Sequence, residues 1–193
     1  MSSASFPTVP FADASVREPS AGVEVDAKRL RAVIDAEHPF VWRSIRRLGV
    51  PMSDVDDAVQ KVFLIAARRL NEVPNGRERG FLFATSMRVA SNERRAERRK
   101  RSAGPEALEE MTSPTPSPEQ TVSNREVLDS ILEELPIEIR SVVVLYELEQ
   151  MTTEEIGEML DLPVGTVASR IRRGRELIEI TLKRLRAREG GLR

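Results

Sequence analysis

The chain has 193 residues, of which 40% are hydrophobic and 32% are charged, and its formal net charge is −1. This composition suits a soluble, helix-rich protein with one domain or two small ones better than a disordered chain or a membrane protein. No apolar run approaches the roughly 20 residues that span a bilayer. The chain has no cysteine, which excludes disulfides and cysteine-ligated zinc and fits a reducing, cytoplasmic setting.

The sequence predicts irregular structure in three segments. Residues 1–24 are rich in Pro, Ser and Ala and lack the pattern of a secretory signal, so we expect a disordered N-terminal arm. Residues 102–123 carry four prolines, and their only charges are four glutamates, which predicts a flexible, Pro-rich acidic linker. A linker of 22 residues can reach roughly 70 Å when fully stretched. Residues 188–193 are expected to form a disordered tail.

The first block, residues 25–101, contains helical patterns separated by breakers. Pro39 is expected to divide the segment 26–49 into two helices. Ser53 resembles the start of a capping box for the next helix, and Pro, Asn and two Gly predict a loop over Asn71–Gly80. A helix resumes at Phe81 and ends in a basic stretch, with a net charge of +5 over residues 81–101. The helix after Ser53 has an apolar stripe at helical spacing: Val55, Val59, Val62, Phe63, Ala66 and Leu70.

Catalytic and metal-binding constellations are missing from the sequence. The single histidine, His38, cannot form a histidine cluster, and we interpret it as structural. The acid pairs Asp56/Asp57 and Glu154/Glu155 are adjacent on helices, so their side chains diverge by about 100°. No Gly-rich phosphate loop occurs. We therefore expect no enzyme activity, no metal and no cofactor.

The second block, residues 124–187, ends in a helix-turn-helix pattern. Ser123 is a plausible N-cap for a helix that Pro136 stops, and a second aliphatic helix follows. Thr152 and Glu155 form a capping box for the third helix. Gly165 is expected to make the sharp turn, and Thr166 is expected to cap the final helix.

Charge in the second block is segregated. Residues 124–163 have a net charge of −9, whereas residues 166–193 have a net charge of +6. With Val167 and Ile171 facing the core, Arg172 and Arg173 lie on the opposite face together with Ser169. In a helix-turn-helix the second helix enters the major groove, where arginine can bond guanine bidentately. The pattern therefore predicts DNA binding.

Two segments together resemble the extracytoplasmic-function (ECF) group of bacterial RNA polymerase sigma factors, in the sigma-70 family. They are "SDVDDAVQKVFLIAARRL" in the first block and "LDLPVGTVASRIRRGRELI" in the second, and the resemblance covers about Ala27 to Leu185. It implies an all-α fold of two small helical domains, sigma region 2 and region 4, joined by the linker. The chain departs from the family where Lys61 replaces a frequent Glu and Phe81 a usual Trp, and where Ala168 and Tyr146 replace frequent arginines.

The resemblance also implies roles for individual residues. The partners would be core RNA polymerase, through its β′ clamp helices and β flap, promoter DNA and an anti-sigma factor. Contacts to polymerase would come from Asp54, Asp57, Gln60 and Phe63, although Phe63 also fits the apolar stripe and is an alternative member of the core. The −10 element would be read as a single strand by Asn71, Asn75, Arg77, Arg79, Arg88, Asn92 and Arg95. The −35 element would be read or held by Thr166, Ser169, Arg170, Arg172 and Arg173. The anti-sigma factor would cover surfaces near Val143, Leu145 and Leu148 or the Val55–Phe63 helix.

Two other classes remain open at this point. A helix-turn-helix regulator would bind duplex DNA without polymerase. A helical adaptor could contain both blocks without binding DNA. Dependence on polymerase separates the first of these from a sigma factor.

Overall fold

Helices make up most of the part of the chain that the computed structural model describes, residues 27–102 and 124–190. The first block contains α1 (Ala27–Arg47), α2 (Val55–Arg69) and α3 (Glu78–Ser102). The second contains α4 (Asn124–Glu133), α5 (Ile137–Val143), α6 (Thr153–Leu160) and α7 (Val164–Gly190). No strand occurs in these two ranges, in agreement with the predicted all-α class. The N-terminal arm, the Ser123 cap and nearly all of the linker lie outside the described residues.

The core of the first block is built on the apolar stripe of α2. All six predicted stripe residues are buried, with at most 8% of each side chain exposed. The first five, from Val55 to Ala66, belong to one core cluster with Phe40 and Ile45 of α1 and Leu82 and Phe83 of α3. Burying each valine, leucine or phenylalanine side chain of the stripe stabilises the fold by roughly 1.5–3 kcal/mol, so the stripe contributes much of the stability of this bundle.

Three boundaries in the first block differ from the prediction. Pro39 lies inside a continuous α1, because Phe40 and Ile45 beyond it are held in the core and compensate the backbone hydrogen bond that proline removes. Ser53 does not cap α2: it lies in a 3₁₀ turn, Met52–Asp54, and donates to the neighbouring Asp54 carboxylate at 2.9 Å. The predicted loop 71–80 is shorter, since a 3₁₀ turn covers Leu70–Glu72 and α3 already begins at Glu78.

The second block contains a wide helical turn. After α5 the chain forms a π turn over Val144–Leu148, in which Glu149 N bonds Val144 O at 3.1 Å. α5 crosses α7 closely at Gly174, where a Cβ would overlap Val143. The predicted capping box of α6 is confirmed: Glu155 N donates to Thr152 Oγ1 at 3.2 Å, and Thr152 N donates to Glu155 Oε2 at 2.8 Å.

The corner between α6 and α7 differs from the prediction. α7 begins at Val164, so Thr166 lies inside the helix, its N–H bonding Pro163 O at 2.8 Å, and it does not act as the N-cap. Gly165 is helical; the chain reverses at Asp161, which has a left-handed φ of 54°. The predicted tail is also shorter, because α7 continues through residues 188–190.

The two blocks pack against each other. Buried residues of both blocks belong to one hydrophobic cluster, with Ile45 and Phe83 from the first and Leu145 and Ile156 from the second. Arg43 and Arg47 both pair with Glu149, and the Arg43 Nη2–Glu149 Oε2 distance is 2.9 Å. Arg46 pairs with Asp129. We call this the closed arrangement.

Candidate nucleic-acid interface

The first turns of α7 present a polar face opposite the core. Val167 and Ile171 are buried, whereas Ser169, Arg172 and Arg173 are exposed, as the helical wheel predicted. Arg173 pairs with Glu176 of the same helix at 2.9 Å, and Ser169 Oγ donates back to Thr166 O at 2.9 Å. These polar groups bond only within α7 among the described residues, so the face is open to an approaching duplex.

The arginines that flank this face differ from each other. Arg170 is half-buried on one side. On the other side, Arg175 donates to Glu147 at 2.9 Å and its guanidinium lies 5.5 Å from the Tyr146 ring centroid. The hydrogen bond from Arg175 to Glu147 raises the pKa of Arg175. Because its charge is already partnered, Arg175 is less available to a phosphate than its wheel position suggested.

A cleft beside the polar face brings together two of the sequence's departures from the family pattern. Its volume is about 400 Å³, and its lining includes Tyr146 of the π turn and Ala168, Arg172 and Arg175 of α7. Tyr146 and Ala168 are 22 residues apart in sequence and face the same space. Sequence reasoning noted each replacement separately, but only the fold shows that both change one surface.

Three of the predicted −10 residues share one face of α3. Arg88, Asn92 and Arg95 are exposed and spaced i, i+4 and i+7, which places them on a single stripe. Asn71 and Asn75 are also exposed, in the segment before α3. The stripe is therefore polar and basic, and the segment before α3 adds two exposed amide side chains.

The remaining two −10 candidates already have protein partners. Arg79 pairs with Glu37 at 2.9 Å and lies 4.4 Å from the Phe40 ring centroid. Arg77 Nη1 donates to the Glu158 carbonyl of α6 at 3.2 Å. The structure therefore assigns both arginines to contacts within the chain, and the Arg77 contact crosses between the blocks.

The candidate polymerase surface needs one correction. Asp54, Asp57 and Gln60 are exposed, but Phe63 is buried in the core and its ring stacks on exposed His38 at 5.9 Å. Leu64, the next residue, is 54% exposed and lies on the same face as Asp57 and Gln60. Sequence reasoning missed Leu64, although its position off the apolar stripe was the available signal.

Two of the residues proposed to meet an anti-sigma factor are buried as well. Val143 and Leu145 belong to the core, at 3% and 0% exposure, and Leu148 is half-buried. Packing against α7 and against the first block explains their apolar character. They do not form a docking surface in the closed arrangement.

The described residues contain no group of three or more acidic or histidine side chains that could hold a metal ion. Among the same residues, no helix has the length and apolarity needed to cross a membrane.

Comparisons with known proteins find relatives among bacterial sigma factors. A family model for sigma-70 region 4 matches residues 125–178. The ECF sigma factor SigE of Mycolicibacterium smegmatis is 34% identical over 140 residues, 70% of this chain, which spans about half (54%) of that relative. The ECF sigma-E factor of Escherichia coli K12 is 33% identical over 147 residues, covering 67% of this chain and 74% of the relative.

Two solved structures share the fold. CnrH in complex with the cytosolic domain of CnrY has a TM-score of 0.56 at 23% identity, covering 81% of this chain and 88% of that chain. The sigma factor RpoE in complex with the anti-sigma factor NepR from Bartonella quintana also has a TM-score of 0.56, at 19% identity, covering 81% and 98%.

The resemblance found in the sequence is thus confirmed by matches that include both blocks. The helix-turn-helix, the region 4 match and the relatives that extend over most of the chain together distinguish it from a stand-alone DNA-binding regulator. The chain belongs to the ECF RNA polymerase sigma factors of the sigma-70 family.

Proposed function

We propose that this chain binds core RNA polymerase and directs it to specific promoters, with the second block on the −35 element and the first on the −10 element. The observation that carries the proposal is the exposed Ser169, Arg172 and Arg173 face on the second helix of a helix-turn-helix. Such a face suits the floor of the major groove, where arginine distinguishes guanine from other bases.

In this proposal the first block reads separated bases. Arg88, Asn92 and Arg95 on α3 hold the strand, and Asn71 and Asn75 contact base edges. A basic groove with amide side chains suits single-stranded DNA, because extruded bases expose their pairing edges. Arg77 and Arg79 join this surface after leaving their partners within the chain.

Polymerase binds the exposed face of α2 in the same proposal. Asp57, Gln60 and Leu64 lie on one side of that helix, next to Asp54. An exposed leucine among acidic and amide groups is a suitable contact for a basic, partly apolar helical surface. The β′ clamp helices are the proposed partner here, and the β flap is the proposed partner of the second block.

In this proposal the closed arrangement opens before both surfaces can bind promoter DNA. A Cβ at Gly80, near the start of α3, would lie only 3.1 Å from Met159 O of α6. The two blocks are therefore in contact at the start of α3, whereas two promoter elements lie on different parts of a duplex. The 22 linker residues reach at most roughly 70 Å, or about 20 base pairs. Once the blocks separate, this length lets them contact different parts of one duplex.

A relative of the same fold is bound by an anti-sigma factor, NepR, and we propose such a partner here. Since Val143 and Leu145 are buried, the available surface is the exposed face of α2 around Leu64. A partner on that face competes with polymerase.

We place promoter recognition by this chain in the cytoplasm, with the polymerase, and assign the chain no enzymatic step.

The test is transcription in vitro with purified core polymerase. Added chain is expected to start transcripts at defined sites of a genomic fragment library, and core polymerase alone is not. The chain alone is expected to show no sequence preference on duplex DNA. Specific duplex binding without polymerase, combined with no gain in initiation, would contradict the proposal and favour a regulator.

A further inference from the structure

The turn before α3 carries an exposed amide side chain. Arg77 N donates to Pro74 O at 3.1 Å, which closes a tight turn over residues 74–77. Gly76 has a left-handed φ of 84°, which glycine adopts readily at the third position of such a turn. Asn75, at the second position, is exposed. The conformation of this turn therefore decides where the Asn75 amide lies.

Arg29 of α1 bonds the chain on both sides of this turn. Before the turn, its Nη1 donates to Leu70 O at 3.1 Å and its Nη2 donates to Val73 O at 2.7 Å. After the turn, the same Nη2 donates to Glu78 Oε1 at 2.7 Å. One guanidinium thus joins α1 to the segment that follows α2 and to the start of α3.

The Glu78 carboxylate extends these contacts into the turn. The hydrogen bond from Arg29 lowers the pKa of this carboxyl by more than burial raises it, and the backbone N–H groups of Glu78 and Gly76 lower the pKa as well. Glu78 also lies in the first turn of α3, where the helix dipole favours a negative charge. Because Gly76 directly follows Asn75, the carboxylate connects Arg29 to the backbone beside the exposed amide.

The pair of Arg29 and Glu78 is largely shielded from water, with 21% and 18% of the two side chains exposed. Screening by water and salt, which makes exposed ion pairs weak, is therefore reduced. Hydrogen bonds from a charged donor are also stronger than neutral ones. The hydrophobic core of the first block is formed by other residues of α1, such as Phe40 and Ile45. These contacts of Arg29 thus act on the turn.

We propose that Arg29 is a positioning residue for strand recognition, which fixes the turn so that Asn75 meets one separated base. The inference rests on the proposed function of the first block. An amide bonds a base edge only within a narrow range of distance and angle. A turn that is already ordered also avoids the entropy that ordering a mobile loop costs on binding. Arg29 acts through Asn75 and does not itself contact DNA.

The test is transcription by holoenzyme made from core polymerase and the full chain, on templates with a randomised −10 element and a fixed −35 element. The variants are Asn75→Ala, Arg29→Gln and the combination of both. Glu78→Gln interrupts the same path and replaces Arg29→Gln if that variant fails to fold. The matched control is Arg69→Gln, which breaks an exposed pair with Glu72 just before the turn.

The wild-type chain is expected to prefer one base about tenfold at one −10 position, the scale of a single side-chain contact to a base edge. Asn75→Ala and Arg29→Gln are each expected to reduce this preference to about twofold or less. The double variant is expected to match Asn75→Ala, because two residues that act through one contact do not add. The control is expected to keep the wild-type preference. Preference at a randomised −35 element is expected to stay the same in every variant, which a general loss of structure would not allow.

Amide hydrogen exchange of the free chain tests the turn without polymerase. Exchange over residues 71–77 is expected to be about tenfold faster in Arg29→Gln and unchanged in α7. Unchanged exchange, unchanged −10 preference in either single variant, or additive losses in the double variant overturns the inference. A parallel loss of −35 preference also overturns it. If the wild-type chain starts no transcripts, the proposed function fails, and the inference fails with it.

Discussion

The two surfaces proposed to read DNA differ in how far the closed arrangement leaves them free. On α7, Arg172 and Arg173 are exposed, and the pairing of Arg173 stays within its own helix. At the start of α3, Arg77 contacts α6, and Arg79 pairs with Glu37 of α1. One surface is complete in this arrangement, whereas the other becomes complete only after the chain rearranges.

This difference has a physical origin. The α7 face is defined by a single helix, whose geometry fixes the spacing of its side chains regardless of the other block. The α3 surface combines a helix with the preceding turn, and the second block covers part of it. The proposed duplex-reading surface is thus fixed by local structure, and the proposed strand-reading surface is coupled to the packing between blocks.

The largest effect is expected from a substitution that disturbs the packing of α7 against α5 and leaves the α3 surface unchanged. Gly174→Leu places a side chain where even a Cβ overlaps Val143, and we expect it to lower the free energy of unfolding by about 3 kcal/mol. Urea denaturation measures this. The matched control is Gly165→Ala on the same helix, where a Cβ meets nothing within 4 Å; equal stability of the two variants would show that the crossing is not tightly packed.

The second prediction sharpens the assignment of the α7 face. Arg172→Ala and Arg173→Ala are each expected to cost about 2 kcal/mol of discrimination at defined upstream bases. Arg170→Ala, on the flank, is expected to weaken all sequences alike and to lower the salt slope by about one. Holoenzyme transcription from a randomised upstream element measures both effects. Unchanged base preference in all three variants would refute base reading by this helix.

A third prediction concerns α6, which packs against both α3 and α7. Thr152→Ala removes the side-chain acceptor of the capping box, and we expect stability to fall by about 1 kcal/mol. Thermal unfolding measures the loss. Thr153→Ala is the control, because Thr153 does not accept the capping bond; if it costs as much as Thr152→Ala, the box contributes nothing specific.

The smallest expected effect comes from releasing the contact between blocks. Glu149→Gln replaces the carboxylate that pairs with Arg43 and Arg47, and we expect the closed arrangement to weaken by about 1 kcal/mol or less, because Arg43 is partly exposed. Small-angle X-ray scattering is expected to show a larger radius of gyration. Glu176→Gln, which breaks a pair inside α7, is the control and is expected to leave the radius unchanged.

The same contact predicts a pH dependence. Burial raises the pKa of Glu149. The hydrogen bond from Arg43 and the charges of Arg43 and Arg47 together lower it by more, so the pKa lies below its ordinary value of 4.5. Because its pKa is lowered, the ionised Glu149 carboxylate stabilises the closed arrangement at pH values above its ordinary pKa. This stabilisation is lost as the pH falls through the lowered pKa. Expansion on acidification should therefore be weaker in Glu149→Gln; equal expansion in both proteins would contradict this account.

Features that depend on local periodicity could be predicted from the sequence. The buried stripe of α2, the Thr152–Glu155 box and the two faces of α7 follow from helical spacing and capping chemistry alone. Features decided by competition with tertiary packing could not. Pro39 stays inside α1 because core residues follow it, and the α6–α7 corner depends on Asp161 in place of the expected glycine.

The packing between blocks had no sequence signal at all. Arg43 and Glu149 are 106 positions apart, and neither differs from an ordinary surface charge when read locally. Arg140 likewise reads as a solvated arginine in an acidic segment, but packing against α1 buries it completely. The assignment of Phe63 depended on the same information, since a stripe residue can serve the core or a partner.

The π turn after α5 has a consequence for how this protein's DNA preference could diverge. Tyr146 and Glu147 lie in this wide turn, and Tyr146 faces the cleft beside α7. Deleting one residue there would restore an ordinary helical turn and rotate the neighbouring side chains by about 100°. Changes in chain length at this turn could therefore alter the surface presented to DNA without substituting a single residue of the reading helix.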